Sequence, residues 1–173
     1  MKRAPVVLTE YDPEWASKFE AEKEFLLQVI GDWICGSVEH VGSTAIPGLI
    51  AKPVIDIMFG VKSLEESRPT IDILINNGYE HSAYKTDVMH WFCKPNDAFR
   101  THHLHLIPYK SPLWQERIQF RELLRSDGRI AREYAELKKN LAIKYKDDRE
   151  TYTLKKWPFI EKELYRKKAK QRQ

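Results

Sequence analysis

Apolar positions recur along the chain with two different periods, and the change of period divides it. Trp15, Phe19, Leu26, Val29 and Ile30 fall at nearly helical spacing between Tyr11-Asp12-Pro13 and Gly31. This predicts an amphipathic helix capped by Asp12, with Pro13 at its first position and Val6 to Leu8 as a short extended lead-in. Ile34 to Val41 alternates loosely and reads as a strand, and the run through Phe59 that follows Lys52-Pro53 reads as a second. Ser63 opens a further helix through Leu64, Ile71, Leu74 and Ile75, interrupted at Pro69 and closed at Asn77-Gly78. Val88 to Lys94 and Thr101 to Ile107 are two more strands, paired antiparallel across Pro95-Asn96-Asp97. From Pro112 onward strand signals cease, and breaks at Ser126-Asp127-Gly128 and Lys146-Asp147-Asp148 predict three helices. The expected fold is α+β in a single domain over residues 1–173: a small mixed β-sheet over about 1–110, a helical half over about 111–165, and a solvated basic tail over 166–173.

Composition narrows the class. At 173 residues the chain fits one domain with a substantial core. The apolar fraction is 42% and the charged fraction 31%, with no apolar run near the ~18 residues of a membrane span. The first residues, MKRAPVVLTEYDPEW, carry two basic groups but no apolar stretch, so no signal peptide and no membrane partner are expected. Cys35 and Cys93 are too few for a disulfide framework and lie in no Cys-x-x-Cys pair, which points to free thiols in the cytoplasm. A net charge of +4 admits anionic ligands. It comes without the basic aromatic strand face of single-strand binders, so nucleic acid is not the expected partner.

Chemistry concentrates in EHVGSTAIPGLIAKPVIDIMF, from Glu39 to Phe59. Asp56 stands among Val54, Ile55, Ile57 and Met58, and a buried carboxylate needs a hydrogen bond, an ion pair or a metal. Gly42 permits a tight turn, while Ser43 and Thr44 offer hydroxyl and N–H groups to an anion. In THHLHLI, His103 and His105 share one strand face and His102 points to the other. With Asp56 on a neighbouring strand they form an oxygen and nitrogen set for a divalent metal, whereas satisfied strand histidines are the bland alternative. His40 and His90 read as surface or supporting groups. In the helical half, Arg117 and Arg121 are four apart, and Lys138 and Lys155 stand beside aromatic or apolar positions from which each would lean over an adjacent pocket.

The run HVGSTAIPGLIAKPVIDI resembles the signature of the GrpB (UPF0157) family. YDPEW, NNGYE, HLHL, FRELLR, YAELKKNLA and YTLKKWPFI extend the likeness over nearly the whole chain. That family is grouped by resemblance with the nucleotidyltransferase superfamily, which implies a polymerase-β-like mixed sheet with a Gly-Ser turn and, on the next strand, an acid-apolar-acid pair holding two Mg²⁺ ions around a nucleoside triphosphate. Gly42-Ser43 and Asp56 occupy the matching places, but Met58 stands where the second acid belongs. The resemblance implies metal-dependent transfer of a nucleotidyl group from a nucleoside triphosphate to a small acceptor. The expected roles are Gly42, Ser43, Thr44, Lys52, Lys138 and Lys155 on phosphate, Asp56, His103 and His105 on metal, and Asp56 and His105 in catalysis. The expected cofactor is Mg²⁺ or Mn²⁺, with Zn²⁺ an alternative through His103 and His105. The alternative is a module that binds a nucleotide or phosphorylated metabolite without turning it over.

Overall fold

A computed structural model describes residues 5–170. Five strands form one mixed sheet in the order β1-β2-β5-β4-β3. They are β1 (Ile34–Val41), β2 (Ile55–Val61), β3 (Glu80–Ser82), β4 (His90–Pro95) and β5 (Arg100–Pro108). β2 and β5 run parallel in the centre, and every other neighbouring pair is antiparallel. The period of two sorts side chains cleanly. Ile55, Ile57 and Phe59 of β2, with Leu104 and Leu106 of β5, enter the core beneath α1 (Glu14–Ile30) and α2 (Thr70–Asn76). Met58, Trp91, Cys93 and Ile107 face the other way, against Trp114 of α3 (Pro112–Ser126).

The helical half continues from α3 through α4 (Gly128–Lys144) and α5 (Arg149–Leu154) to α6 (Trp157–Lys170). The starts of α3, α4 and α5 each have a local cause. Ser111 accepts from the Trp114 N–H, Asp127 from those of Arg129 and Ile130, and Asp148 from that of Thr151. Likewise Asp12 accepts from the Glu14 N–H at 2.9 Å ahead of α1.

Four features differ from the sequence expectation. The last predicted helix is two, because the chain turns at Lys155-Lys156 before Trp157 restarts it. The helix expected from Ser63 begins only at Thr70: Ser63 accepts from the Glu66 N–H and opens a run of turns, and Pro69 lacks the N–H that regular helix would need there. The three-residue β3 carries too little pattern to be read. Arg166 to Lys170 belong to α6, where Arg166 pairs at 2.8 Å with the buried Glu163, so this part of the basic tail is helix; residues 171–173 lie outside the described residues. Among the described residues no helix is long and apolar enough to cross a membrane. Cys35 and Cys93 are both free thiols.

Candidate metal and phosphate site

Register brings the central residues together. Asp56 pairs with His103 across the β2–β5 ladder, and Met58 with His105. His103 Nδ1 lies 2.8 Å from Asp56 Oδ1, and His105 Nε2 lies 3.7 Å from the same oxygen. One ligand atom from each of the three residues fits within 4.8 Å of the others. Asp56 keeps 29% of its side-chain exposure, so the carboxylate opens on solvent while the two rings sit behind it. His102 points to the opposite face, 4.0 Å from Glu22.

The protonation pattern suits a cation. Burial opposes ionisation of Asp56, yet the hydrogen bond with His103 and the nearness of His105 hold its carboxyl well below the usual range. Burial pushes His103 down, and it pushes His105 down to about 3 with the Arg117 guanidinium adding to the effect. An ionised carboxylate with two neutral imidazoles is the form in which such groups ligate metals. His103 Nε2 and both ring nitrogens of His105 are buried without a hydrogen-bond partner, and such orphans are rare unless an ion or water completes them. A histidine driven so low is a neutral imidazole at pH 7.

The Gly42 turn lies directly against this group. Gly42 has φ +73°, and a Cβ there would stand 2.4 Å from Asp56 Oδ2. The chain then makes a 3-10 turn over Ser43–Ala45. The side chain of Thr44 is not offered to a ligand, contrary to the sequence expectation. It is buried, 2.9 Å from His40 Nε2, and donates to the Val54 carbonyl. His40 and His90 are also buried rather than superficial, each at 9% exposure: His40 stacks on Phe19, and His90 contacts the Leu64 carbonyl at 2.9 Å.

The lysines are rearranged relative to expectation. Lys138, at 1% exposure, donates to Ser43 Oγ at 2.9 Å and to the Ile50 carbonyl, with its ammonium 4.9 Å from the Tyr134 ring centre. Through these contacts it props the Gly42-Ser43 turn. Lys155 is exposed, and its neighbour Lys156 points inward in its place. At the α5–α6 corner a shift of one residue reverses which lysine looks into the site. Lys52 lies 5.3 Å from the Tyr152 ring centre. Of the adjacent pair in TYTLKKWPFI the sequence pattern singles out Lys155 rather than Lys156, and it marks Arg117 only as part of a basic helix face, whereas the Arg117 charge adds to burial in lowering His105.

A pH prediction arises here. Burial, followed by the charges of Lys156 and Lys52, lowers Lys138 to about 7 from an ordinary 10.5. Above pH 7 the unfolded chain therefore binds the extra proton, so stability rises with pH between about 7 and 10.5 and is insensitive to this group below that window. Lys52 and Lys156, lowered to about 7 and about 8, act in the same direction, so Lys138→Met is expected to reduce that rise by one group's share in urea denaturation across the window. An unchanged slope would mean that Lys138 stays charged in the fold.

The comparisons agree with this architecture. The family model described as GrpB protein matches residues 5–166. The chain is 36% identical over 169 residues to the Glutamate-rich protein GrpB of Alkalihalophilus pseudofirmus, covering 95% of this chain and 97% of that one. It is 35% identical over 142 residues to the UPF0157 protein YqkA of Bacillus subtilis, covering 82% of this chain but 41% of that longer protein. The crystal structure of the conserved protein GrpB from Enterococcus faecalis superposes with a TM-score of 0.81 at 30% identity, covering 92% and 98% of the two chains. This chain belongs to the GrpB family.

Proposed function

We propose that the protein is a metal-dependent transferase of nucleotidyltransferase type, acting on a nucleoside triphosphate and a small acceptor. The observation that carries the reading is the direct apposition of the Gly42-Ser43 turn and the Asp56 carboxylate, so close that no side chain fits between them. A turn able to hold phosphate next to a carboxylate able to hold a cation is what a metal–triphosphate complex requires. Asp56, His103 and His105 would hold the metal. Their orphaned imidazole nitrogens fit that role, and one oxygen with two nitrogens suits Mn²⁺ or Zn²⁺ better than the oxygen-seeking Mg²⁺. The metal would supply charge neutralisation at the phosphates. The chain's own part is binding and orientation: Ser43 offers its hydroxyl, Lys138 fixes it, and Lys52 faces the anion. An acceptor oxygen would bond to the α-phosphorus as the α–β anhydride breaks, releasing pyrophosphate.

A second reading has its own support. Met58, fully buried, stands where the superfamily resemblance expects a second acid. A site lacking that carboxylate would bind a nucleotide or phosphorylated metabolite without turning it over. Thermal melts with a nucleotide panel, each with and without Mg²⁺, Mn²⁺ and Zn²⁺, test both readings, since a ligand at 100 times its Kd adds about 2.7 kcal/mol. Metal-dependent stabilisation together with pyrophosphate release in the presence of a mixture of alcohols supports transfer. Stabilisation without pyrophosphate supports the binding module, and no stabilisation by any nucleotide contradicts transfer and nucleotide binding alike.

A further inference from the structure

Lys52, from the segment before β2, and Lys156, from the corner between α5 and α6, approach one ring. Their ammonium groups lie 5.3 Å and 4.6 Å from the centre of Tyr152, which is itself buried. Among the described residues neither ammonium has a hydrogen-bond acceptor or a carboxylate at ion-pair distance. Asp56 is the acid whose field reaches both, and its carboxylate is engaged by His103. The other charges acting on Lys52 are Arg149 from α5 and Arg100 from β5, the latter paired with Asp97. Lys138 of α4 is a third neighbouring lysine without a carboxylate partner. Like charges drawn out of water repel, and the π face of Tyr152 offsets only part of that repulsion. Burial lowers Lys52 to about 7 and Lys156 to about 8, as expected of ammonium groups that lack an anion.

We infer that Lys52 and Lys156 form a clamp across Tyr152 for the terminal phosphates of a di- or triphosphate. The inference rests on the reading of Asp56 as a metal–phosphate site and narrows its ligand class. A single phosphate held beside Asp56 and the Ser43 turn leaves a two-lysine clamp without work, whereas a chain of phosphates reaches from the metal to the clamp. Neither Ser43 nor Lys138 substitutes for it, because Lys138 is already committed to the turn.

The test is calorimetric titration with inorganic phosphate, pyrophosphate, tripolyphosphate and ATP, in Mn²⁺ at pH 7. The proteins are the parent, Lys52→Met, Lys156→Met, Lys156→Arg and the exposed-neighbour control Lys155→Met. Each methionine variant removes an uncompensated charge and keeps the stem's packing, and Lys156→Gln replaces Lys156→Met if that chain fails to fold. The expected result is tripolyphosphate affinity reduced at least about tenfold in Lys52→Met and Lys156→Met, unchanged in Lys155→Met and largely restored in Lys156→Arg. Mn²⁺ binding alone should be unchanged throughout, and the parent should prefer tripolyphosphate over phosphate. Parent-like tripolyphosphate binding by Lys156→Met overturns the clamp. If all variants bind ATP like the parent, the clamp falls and nucleotide binding stands. If the parent binds tripolyphosphate through the lysines but no nucleotide, the clamp stands and nucleotidyl transfer falls. A parent that binds no polyphosphate overturns both.

Discussion

Asp56→Asn is expected to lower divalent-metal affinity by at least about a hundredfold while the chain still folds cooperatively. Loss of a partner behind a ligand already costs about 10–100-fold, and Asp56 is the one carboxylate in the group that it forms with His103 and His105. Asparagine keeps the shape and can still accept from His103, so the β2–β5 register should survive. The charge is what the variant removes. Mn²⁺ titration calorimetry with parallel thermal melts separates these effects. An Asp56→Asn protein that binds Mn²⁺ and nucleotide like the parent would make the central acid structural, and both functional readings would lose their anchor. His105→Ala is expected to weaken metal binding by at least about tenfold on the same reasoning.

Gly42→Ala is expected to destabilise the fold and to disable the site together. With φ +73° and ψ −172°, Gly42 occupies a backbone region that is nearly closed to residues with a Cβ, at a cost of about 1–3 kcal/mol for such strain. The added methyl would also stand 2.4 Å from Asp56 Oδ2, forcing the carboxylate or the turn to move. Urea denaturation should show a loss in that range, and metal affinity should fall even under conditions where the variant is folded. Gly48, also at positive φ but with nothing near its missing side chain, is the internal control: Gly48→Ala should carry strain without the metal defect. Equal metal binding by the Gly42 and Gly48 variants would show that the turn does not support Asp56.

Local pattern exposed part of this site and hid the rest, for reasons that follow from the length scale of each signal. Strand periodicity alone assigns His103 and His105 to one face, and an acid among Val54, Ile55, Ile57 and Met58 stands out without any tertiary knowledge. The 2.8 Å meeting of Asp56 and His103 additionally requires the parallel register of β2 on β5, which neither strand encodes by itself. Lys155 and Lys156 are adjacent and chemically identical, so only the break between α5 and α6 decides which one turns inward. Thr44 looks available in a Gly-Ser-Thr turn until His40, carried on β1 and stacked on Phe19 of α1, takes its hydroxyl. His90 is buried by the carbonyl of Leu64, far away in sequence. In each case the missing information is a long-range contact.

In the proposed site Asp56, His103 and His105 hold a divalent metal against which the Gly42-Ser43 turn sets a phosphate chain. Co²⁺ makes both halves visible in one optical titration, because its absorption reports ligand type and changes when a ligand is exchanged. The expected result is a single Co²⁺ site whose spectrum shows nitrogen ligation, is lost in Asp56→Asn, and shifts when tripolyphosphate is added. A Co²⁺ spectrum that is the same in the parent, Asp56→Asn and His103→Ala, or one that tripolyphosphate leaves unmoved, would contradict it.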